Sequence, residues 1–352
     1  MADRLLPFGV RTIVAYPAIG ELPRPLAGSA AIPVALDTQL LTRDGRATMV
    51  EFIRRENVNV VYFTDRPQWS VWYRSLRRAG ARRIIVHDHT SGTRNMPTGV
   101  RRAVKRLAVN LPGVAADLVV AVSNFVAERD RSAAVVSPER VRCIWNGLDP
   151  VPPGSEEQQP DVRRLLGLGP NTRVIGCACR ATPEKGVKVL FNAFDRLVRT
   201  SSRETVLVYI GSGPEINELS ELRERLPSAN SIFMLGYLPN AASLLRTANV
   251  CVIPSLWQEA FSLAVLEMMV RGRAVVASKV GGVPELIEDG VSGILVVPND
   301  VDALAKAITE VLGSASYQDA LGTAARERAS RLFSAERQIT AMLGTFQDVF
   351  LT

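Results

Sequence analysis

The chain has 352 residues, 47% hydrophobic and 22% charged, a composition that excludes disorder and a length that suits two domains rather than one core. Its formal net charge of +7 is uneven: the first 150 residues carry 22 basic and 13 acidic side chains, the remainder 20 and 22. No apolar run approaches the roughly 18–20 residues that span a bilayer, and residues 1–20 show no signal-peptide core or cleavage site, so a cytoplasmic protein is expected.

Short apolar runs alternate with helical patterns along the chain. In the first half, strands are expected at residues 12–15, 58–63, 83–86, 118–122 and 141–144, with helical patterns at 47–55, 71–79 and 97–111. In the second half, strands are expected at 173–178, 206–210, 232–235, 250–253, 274–277 and 293–296. Helical patterns at 187–200, 215–225, 241–247 and 263–270 separate them, and another at 301–312 follows the last. Repeated strand–helix units with wholly apolar strands predict an α/β protein of doubly wound parallel sheets covered on both faces. The stretch 151–161, Val-Pro-Pro-Gly-Ser-Glu-Glu-Gln-Gln-Pro-Asp, is a linker by composition. It divides a domain at 1–150 from one at 162–334, and a final helical element occupies 335–352. Ligands of open parallel sheets bind at the carboxyl ends of the strands, so the chemistry belongs in the loops that follow them.

Four such loops carry candidate residues. After the strand at 173–178, Arg180 and Lys185 put two cations at a strand mouth, suited to a diphosphate or to an ordinary charged loop. Gly211-Ser-Gly213 resembles a dinucleotide fingerprint, but Ile216 stands where its third glycine belongs, so a tight turn explains it better. The segment from Pro254 to Gly272 is the strongest: a buried strand ends, Glu259 follows, and a helix opens near Ser262 with Glu267 about two turns in. The N–H groups of Phe261, Ser262 and Leu263 would sit at the positive end of that helix. Glu267, on an otherwise apolar helix, needs a partner or a solvated face. The fourth, Val280-Gly-Gly-Val-Pro-Glu285, is a loop that admits close ligand approach or a plain turn.

In the first half, His87-Asp88-His89 ends a strand, where a histidine is suited to acid–base work. Without further ligands this cluster makes a poor metal site. Asp300-Val-Asp302 opens a helix and reads as an N-cap rather than a metal motif. Cys177 and Cys179 lack a second pair, and with Cys143 and Cys251 read as reduced thiols. Residues 51–106 hold 13 basic and 4 acidic side chains, a field for a membrane surface, a phosphorylated acceptor or nucleic acid, or else a solvated face.

Taken in order, Arg180…Lys185-Gly186, Ile210-Gly-Ser-Gly-Pro, Phe233-Met-Leu-Gly236-Tyr237-Leu238, Glu259-x7-Glu267, Val280-Gly-Gly-Val-Pro-Glu-Leu-Ile and Gly290-x-x-Gly293 resemble the retaining, nucleotide-sugar-dependent glycosyltransferases of the GT-B fold, family 4 (group 1). Asn146-Gly-Leu-Asp149 resembles that family's domain junction, and the last helix the one that crosses back to the first domain. The resemblance implies two Rossmann-like domains facing a cleft and no metal or other cofactor. By position, Arg180 and Lys185 would bind the donor diphosphate, Glu259 the transferring sugar and Glu267 the ribose. Phe261, Ser262, Leu263, Gly211, Tyr237 and Leu238 would complete the donor site, and His89, rather than His87, would be the cleft histidine. The family's Glu-Gly-Phe-Gly reads Glu259-Ala-Phe-Ser262 here. Its first strand and glycine loop have no counterpart before residue 11.

The expected function is transfer of a sugar, with retention, from a nucleotide-diphosphate sugar to a glycan or lipid-linked acceptor in envelope or exopolysaccharide synthesis. An anionic membrane surface is a further expected partner and nucleic acid is not. A nucleotide-sugar epimerase and a non-catalytic sugar-nucleotide-binding subunit remain open as alternatives.

Overall fold

The structure, a computed structural model, describes residues 1–17, 26–36, 43–152 and 154–351. Pro153 of the expected linker and the terminal Thr352 lie outside them. In the first half the elements run α1 (Ala2–Leu5), β1 (Ile13–Tyr16), β2 (Ile32–Ala35), α2 (Arg43–Arg55), β3 (Val60–Thr64), α3 (Tyr73–Ala79), β4 (Arg83–Asp88), α4 (Gly99–Asn110), β5 (Leu118–Ala121), α5 (Asn124–Ser132) and β6 (Val141–Cys143). The second half continues with α6 (Val162–Leu166), β7 (Arg173–Ala178), α7 (Val187–Thr200), β8 (Thr205–Ile210), α8 (Ile216–Arg225), β9 (Ile232–Met234), α9 (Ala241–Leu244) and β10 (Val250–Ile253). It ends with α10 (Leu263–Met269), β11 (Val275–Ser278), α11 (Val283–Leu286), β12 (Ile294–Val296), α12 (Val301–Gly313), α13 (Ala315–Leu332) and α14 (Ala335–Leu351). Among the described residues no helix is long and apolar enough to cross a membrane.

The second half folds around one six-stranded sheet in the order β12-β11-β10-β7-β8-β9, parallel throughout. Its central strands are buried on both faces, which is why they read as uninterrupted apolar runs. The strand order reverses between β7 and β10, and a crevice opens there at the carboxyl ends of the two strands. In the first half β3-β4-β5-β6 form a parallel four-stranded sheet, while β1 and β2 pair with each other in a separate parallel ladder. The doubly wound α/β class expected from the sequence is the class observed.

Six elements escaped the sequence pattern: the short helices α1, α6 and α11, and three others, each of these for a local reason. Strand β2 contains Pro33, which lacks a ladder donor and is tolerated because β2 is an edge. Helix α5 hides its periodicity by burying Arg129 and Asp130, and it is started by the Ser123 hydroxyl accepting from the Val126 N–H at 3.1 Å. Helix α13 buries only Leu321, Gly322, Ala325 and Ala329, a narrow stripe of mostly small side chains on an otherwise polar helix. A Cβ at Gly322 would overlap the Gly272 carbonyl oxygen, so close approach rather than bulk packs this helix.

The halves are joined by polar and aromatic contacts. The Glu285 carboxylate, on α11, accepts from the Asn124 N–H (2.8 Å), the Asn124 side-chain amide (3.0 Å), the Phe125 N–H (2.8 Å) and the Trp145 indole (2.7 Å). An anion thus caps a helix of the opposite domain, where the dipole favours it. The Phe333 ring packs edge-on against both Trp145 and Phe261. From α14, Gln338 accepts from the Gly147 N–H at 2.9 Å, and Met342 and Phe346 join a core cluster with Ile85, Leu118 and Val120.

Replacing Glu285 with Ala strands the α5 amides and the Trp145 indole together. Charge-assisted bonds of this kind are worth about 1.5–3 kcal/mol each in the folded state. A fall in thermal midpoint of several degrees is expected, with Glu285→Gln intermediate, measured by calorimetry; an unchanged midpoint would show that the contact carries no stability.

Candidate active site

The loops after β7 and β10 face each other across the crevice. The β7 loop is held by its neighbour: the Ala181 N–H donates to the Ser212 carbonyl at 2.9 Å, and the Glu215 N–H to the Ala181 carbonyl at 3.0 Å. A Cβ at Gly211 would overlap the Cys179 carbonyl, so the β8 loop needs glycine to lie this close. Gly186, at φ +66°, closes the β7 loop, and a Cβ there would overlap the Pro254 carbonyl of the β10 loop. The Leu256 N–H donates back to the Glu184 carbonyl at 2.7 Å.

This backbone stacking brings Lys185 to Glu259. The ammonium lies 2.6 Å from Glu259 Oε1, which also accepts from the Ser255 hydroxyl at 2.6 Å. Glu259 is 8% exposed, and both donors meet the same carboxylate oxygen. Arg180, on the same loop, is exposed and makes no hydrogen bond or ion pair among the described residues. Glu267 is half-buried on α10, and burial raises its carboxyl above the usual range despite the opposing charge of Arg271. Arg271 is engaged elsewhere, with two bonds to the Glu156 carboxylate at 2.8 and 3.0 Å and one to the Glu267 backbone carbonyl. The Glu267 carboxylate therefore has no hydrogen-bond partner among the described residues.

The remaining predicted residues surround this centre unevenly. Phe261 and Ser262 are buried and Leu263 is 46% exposed; the Phe261 ring is committed to Phe333, leaving only its backbone for a ligand. Helix α10 has seven residues, a short dipole. Tyr237 is 75% exposed and Leu238 half-buried in the loop after β9, which joins the β8 loop through the Gly211 N–H to Gly236 carbonyl bond at 2.8 Å.

His89 follows β4 and is half-buried, its backbone N–H donating to Asp65 at 2.7 Å and its ring centroid 4.0 Å from that of His87. Burial pushes His87 down to about 3 and lowers His89 as well, so both rings are neutral at pH 7. His87 is buried against the Tyr62 hydroxyl, whereas the chain just beyond His89 crosses to the second domain. There the Gly92 N–H donates to the Gln258 carbonyl at 2.6 Å, and the Ala260 N–H to the Ser91 hydroxyl at 3.3 Å.

Several residues here were not picked out from the sequence. Ser255 holds Glu259, and the Gln258 side chain accepts from the Gly281 N–H at 2.5 Å. Both lie inside the 254–272 segment, so position alone could have raised them. Beneath the crossing loop, Gln68 donates to Asp88 (3.1 Å) and Asp130 (2.9 Å), while Arg94 and Arg129 reach Asp88 at 3.2 Å. Burial and the neighbouring Asp88 push Asp130 up to about 8, so it holds a proton at neutral pH. No sequence signal marks this network. Among the described residues no three His, Cys, Asp or Glu side chains gather as metal ligands. Asp300 instead caps α12, accepting from the Ala303 N–H at 2.8 Å, and Asp302 pairs with Arg196.

Residues 158–328 match the family described as glycosyl transferases group 1, and residues 1–151 match glycosyltransferase family 4. The chain is 29% identical, over 79% of its own length and 73% of the other's, to the GDP-mannose-dependent alpha-(1-6)-phosphatidylinositol monomannoside mannosyltransferase of Mycolicibacterium smegmatis. It spans about half to 62% of the length of other relatives it matches, among them several D-inositol 3-phosphate glycosyltransferases. In fold it is similar to a Rickettsia africae glycosyltransferase (TM-score 0.83, 21% identity, covering 99% of this chain and 93% of that one). It is also similar to Anabaena HepE in complex with UDP-glucose (TM-score 0.78, 23% identity, covering 99% and 94%). With both halves matched and two parallel-sheet domains stacked about one crevice, the chain belongs to the group 1, family 4 glycosyltransferases of GT-B fold.

Proposed function

We propose that the chain transfers a sugar, with retention of configuration, from a nucleotide-diphosphate sugar to a hydroxyl of a lipid-linked or glycan acceptor at an anionic membrane face. The carrying observation is the meeting of Lys185 and Glu259 across the β7–β10 crevice, beside Arg180 and Glu267, whose side chains have no hydrogen-bond or ion-pair partner among the described residues. Two cations at one end suit a diphosphate, and the Glu267 carboxylate, about one turn into α10 rather than the two expected from the sequence, suits the hydroxyls of a ribose. The family and the UDP-glucose bound in a structural neighbour support a nucleotide-sugar donor.

As the glycosidic bond breaks, charge grows on the leaving phosphate. Arg180 and Lys185 stabilise it there, Lys185 shifting part of its bonding from Glu259 to the phosphate. Glu259, held by Ser255, orients the sugar. The leaving phosphate takes the acceptor proton, so the reaction needs no enzyme nucleophile and no metal. Neutral His89, at the opposite wall, donates or accepts a hydrogen bond at the sugar.

The acceptor side is served by α4. Val100, Val104 and Leu107 are 79%, 61% and 71% exposed, with Met96 at 63%, so an apolar stripe faces solvent beside the exposed Arg101, Arg102 and Arg106. A helix that shows solvent both an apolar and a basic face suits the interface of an anionic leaflet, and a peripheral cytoplasmic placement follows. The phosphatidylinositol acceptor in the mannosyltransferase's name supports the same reading.

Three outcomes are expected. Glu267→Ala should weaken nucleotide-sugar binding by about tenfold or more, the equivalent of losing one charge-assisted bond; unchanged affinity in calorimetry would remove Glu267 from the site. Arg180→Ala, which breaks no bond in the free protein, should lower kcat by about 10² with a smaller change in donor KM. A change confined to KM would mean that Arg180 holds only the ground state. Finally, the chain should co-sediment with vesicles in proportion to anionic lipid and less at high salt, each basic residue contributing about 1 kcal/mol near the leaflet. Changing Val104 and Leu107 to Ser with Arg101 and Arg106 to Gln should abolish this; binding that survives all four changes would leave a soluble acceptor.

A further inference from the structure

The segment between the two domains reaches the donor side of the second one. Glu156, near the middle of residues 151–161, lies against the carboxyl end of α10, where Arg271 follows the helix. The two side chains are each 15% exposed and meet fork to fork: Arg271 Nε donates to Glu156 Oε2 at 3.0 Å, and Nη2 to Oε1 at 2.8 Å. The third nitrogen, Nη1, donates to the Glu267 backbone carbonyl at 2.9 Å, one of the carbonyls that the end of a helix leaves open.

The guanidinium is thus pinned beside a carboxylate to which it makes no hydrogen bond. Glu267 and Arg271 stand four positions apart, the spacing at which a carboxylate and a guanidinium pair on a helix. The Arg271 charge acts on the Glu267 carboxyl, yet both of its forked donors are spent on Glu156. Neighbouring arginines are committed elsewhere. Around a cavity of about 220 Å³ beside the linker, Arg246 bonds Asp161 and the carbonyls of Gln159 and Pro160, and Arg326 bonds the Arg271 carbonyl.

We propose that Glu156 is a positioning residue for the donor site: by holding the Arg271 guanidinium on the linker, it keeps the Glu267 carboxylate unpaired and open to the ribose hydroxyls of the nucleotide. This role rests on the reading of Glu267 as the ribose ligand. A half-buried guanidinium that loses its partner takes the next carboxylate in reach. Without Glu156, Arg271 turns to Glu267, and a ribose must then displace an ion pair before it binds. A residue of the linker, outside both sheets, thereby sets the donor affinity of the second domain.

Calorimetric titration of the full chain with UDP-glucose and with GDP-mannose, which share the ribose and the diphosphate, tests this. Glu156→Ala should weaken whichever donor the unaltered chain binds by about three- to tenfold, with Glu156→Gln, which keeps one acceptor, in between. The loss should fall on donor KM and not on kcat, because the ribose is remote from the bond that breaks. Adding Arg271→Ala to Glu156→Ala should recover the affinity, and Glu156→Ala should cost nothing further in a chain already carrying Glu267→Ala. Glu157→Ala, at the exposed neighbouring carboxylate, should have no effect. A linker that only holds the fold together would weaken binding in every background, so a loss that persists in either double variant overturns the proposal. Full affinity in Glu156→Ala, or an equal loss in Glu157→Ala, overturns it too. Should Glu156→Ala not fold, Glu156→Gln alone and with Arg271→Ala makes the same comparison. Unchanged affinity in Glu267→Ala removes Glu267 from the site and this role with it, whereas a loss there and none in Glu156→Ala removes this role alone.

Discussion

The close stacking of backbone on backbone at the β7–β10 crevice is the constraint on which the candidate site depends. Carbonyl oxygens of Pro254, Cys179 and Glu259 stand where side chains of residues 186, 211 and 281 would begin. Only glycine leaves that room, and the loops therefore lock without intervening side chains. One consequence is electrostatic. Lys185 is carried to within 2.6 Å of Glu259, so a cation is positioned in the crevice before any ligand arrives. Preorganised charge of this kind acts on a transition state without reorganisation at the moment of reaction.

The same segment ties the crevice to the opposite domain. Gln258 accepts from Gly92 through its backbone and from Gly281 through its side chain, so the loop bearing Glu259 is braced from both domains. Below it, the Asp88, Arg94, Arg129 and Asp130 network holds the chain that follows His89. Glu285 then fixes α5 from across the interface. Cleft geometry is thus a property of polar contacts between domains as much as of either sheet.

How legible this was in the sequence varied with the physics of each element. Strands buried on both faces, such as Val250–Ile253, announce themselves because every position is apolar. The glycine positions at 186, 211 and 281 were visible as spacing, because close backbone approach restricts residue type there, and the pair Glu259 and Glu267 stood out as carboxylates in an otherwise apolar segment. Strand β2 was hidden by Pro33, and α5 by charges buried for tertiary reasons that no local pattern carries. The crossing contacts of Ser91 and Gln258 were invisible, because they join residues 169 and 166 positions apart in sequence.

A crystal structure of the chain with a nucleotide-diphosphate sugar tests the central claim most directly. The account predicts diphosphate oxygens within hydrogen-bond distance of Arg180 and Lys185, the ribose hydroxyls on the Glu267 carboxylate and the sugar against Glu259. A nucleotide bound away from the β7–β10 crevice, or one there with Glu267 still unpartnered, would contradict it.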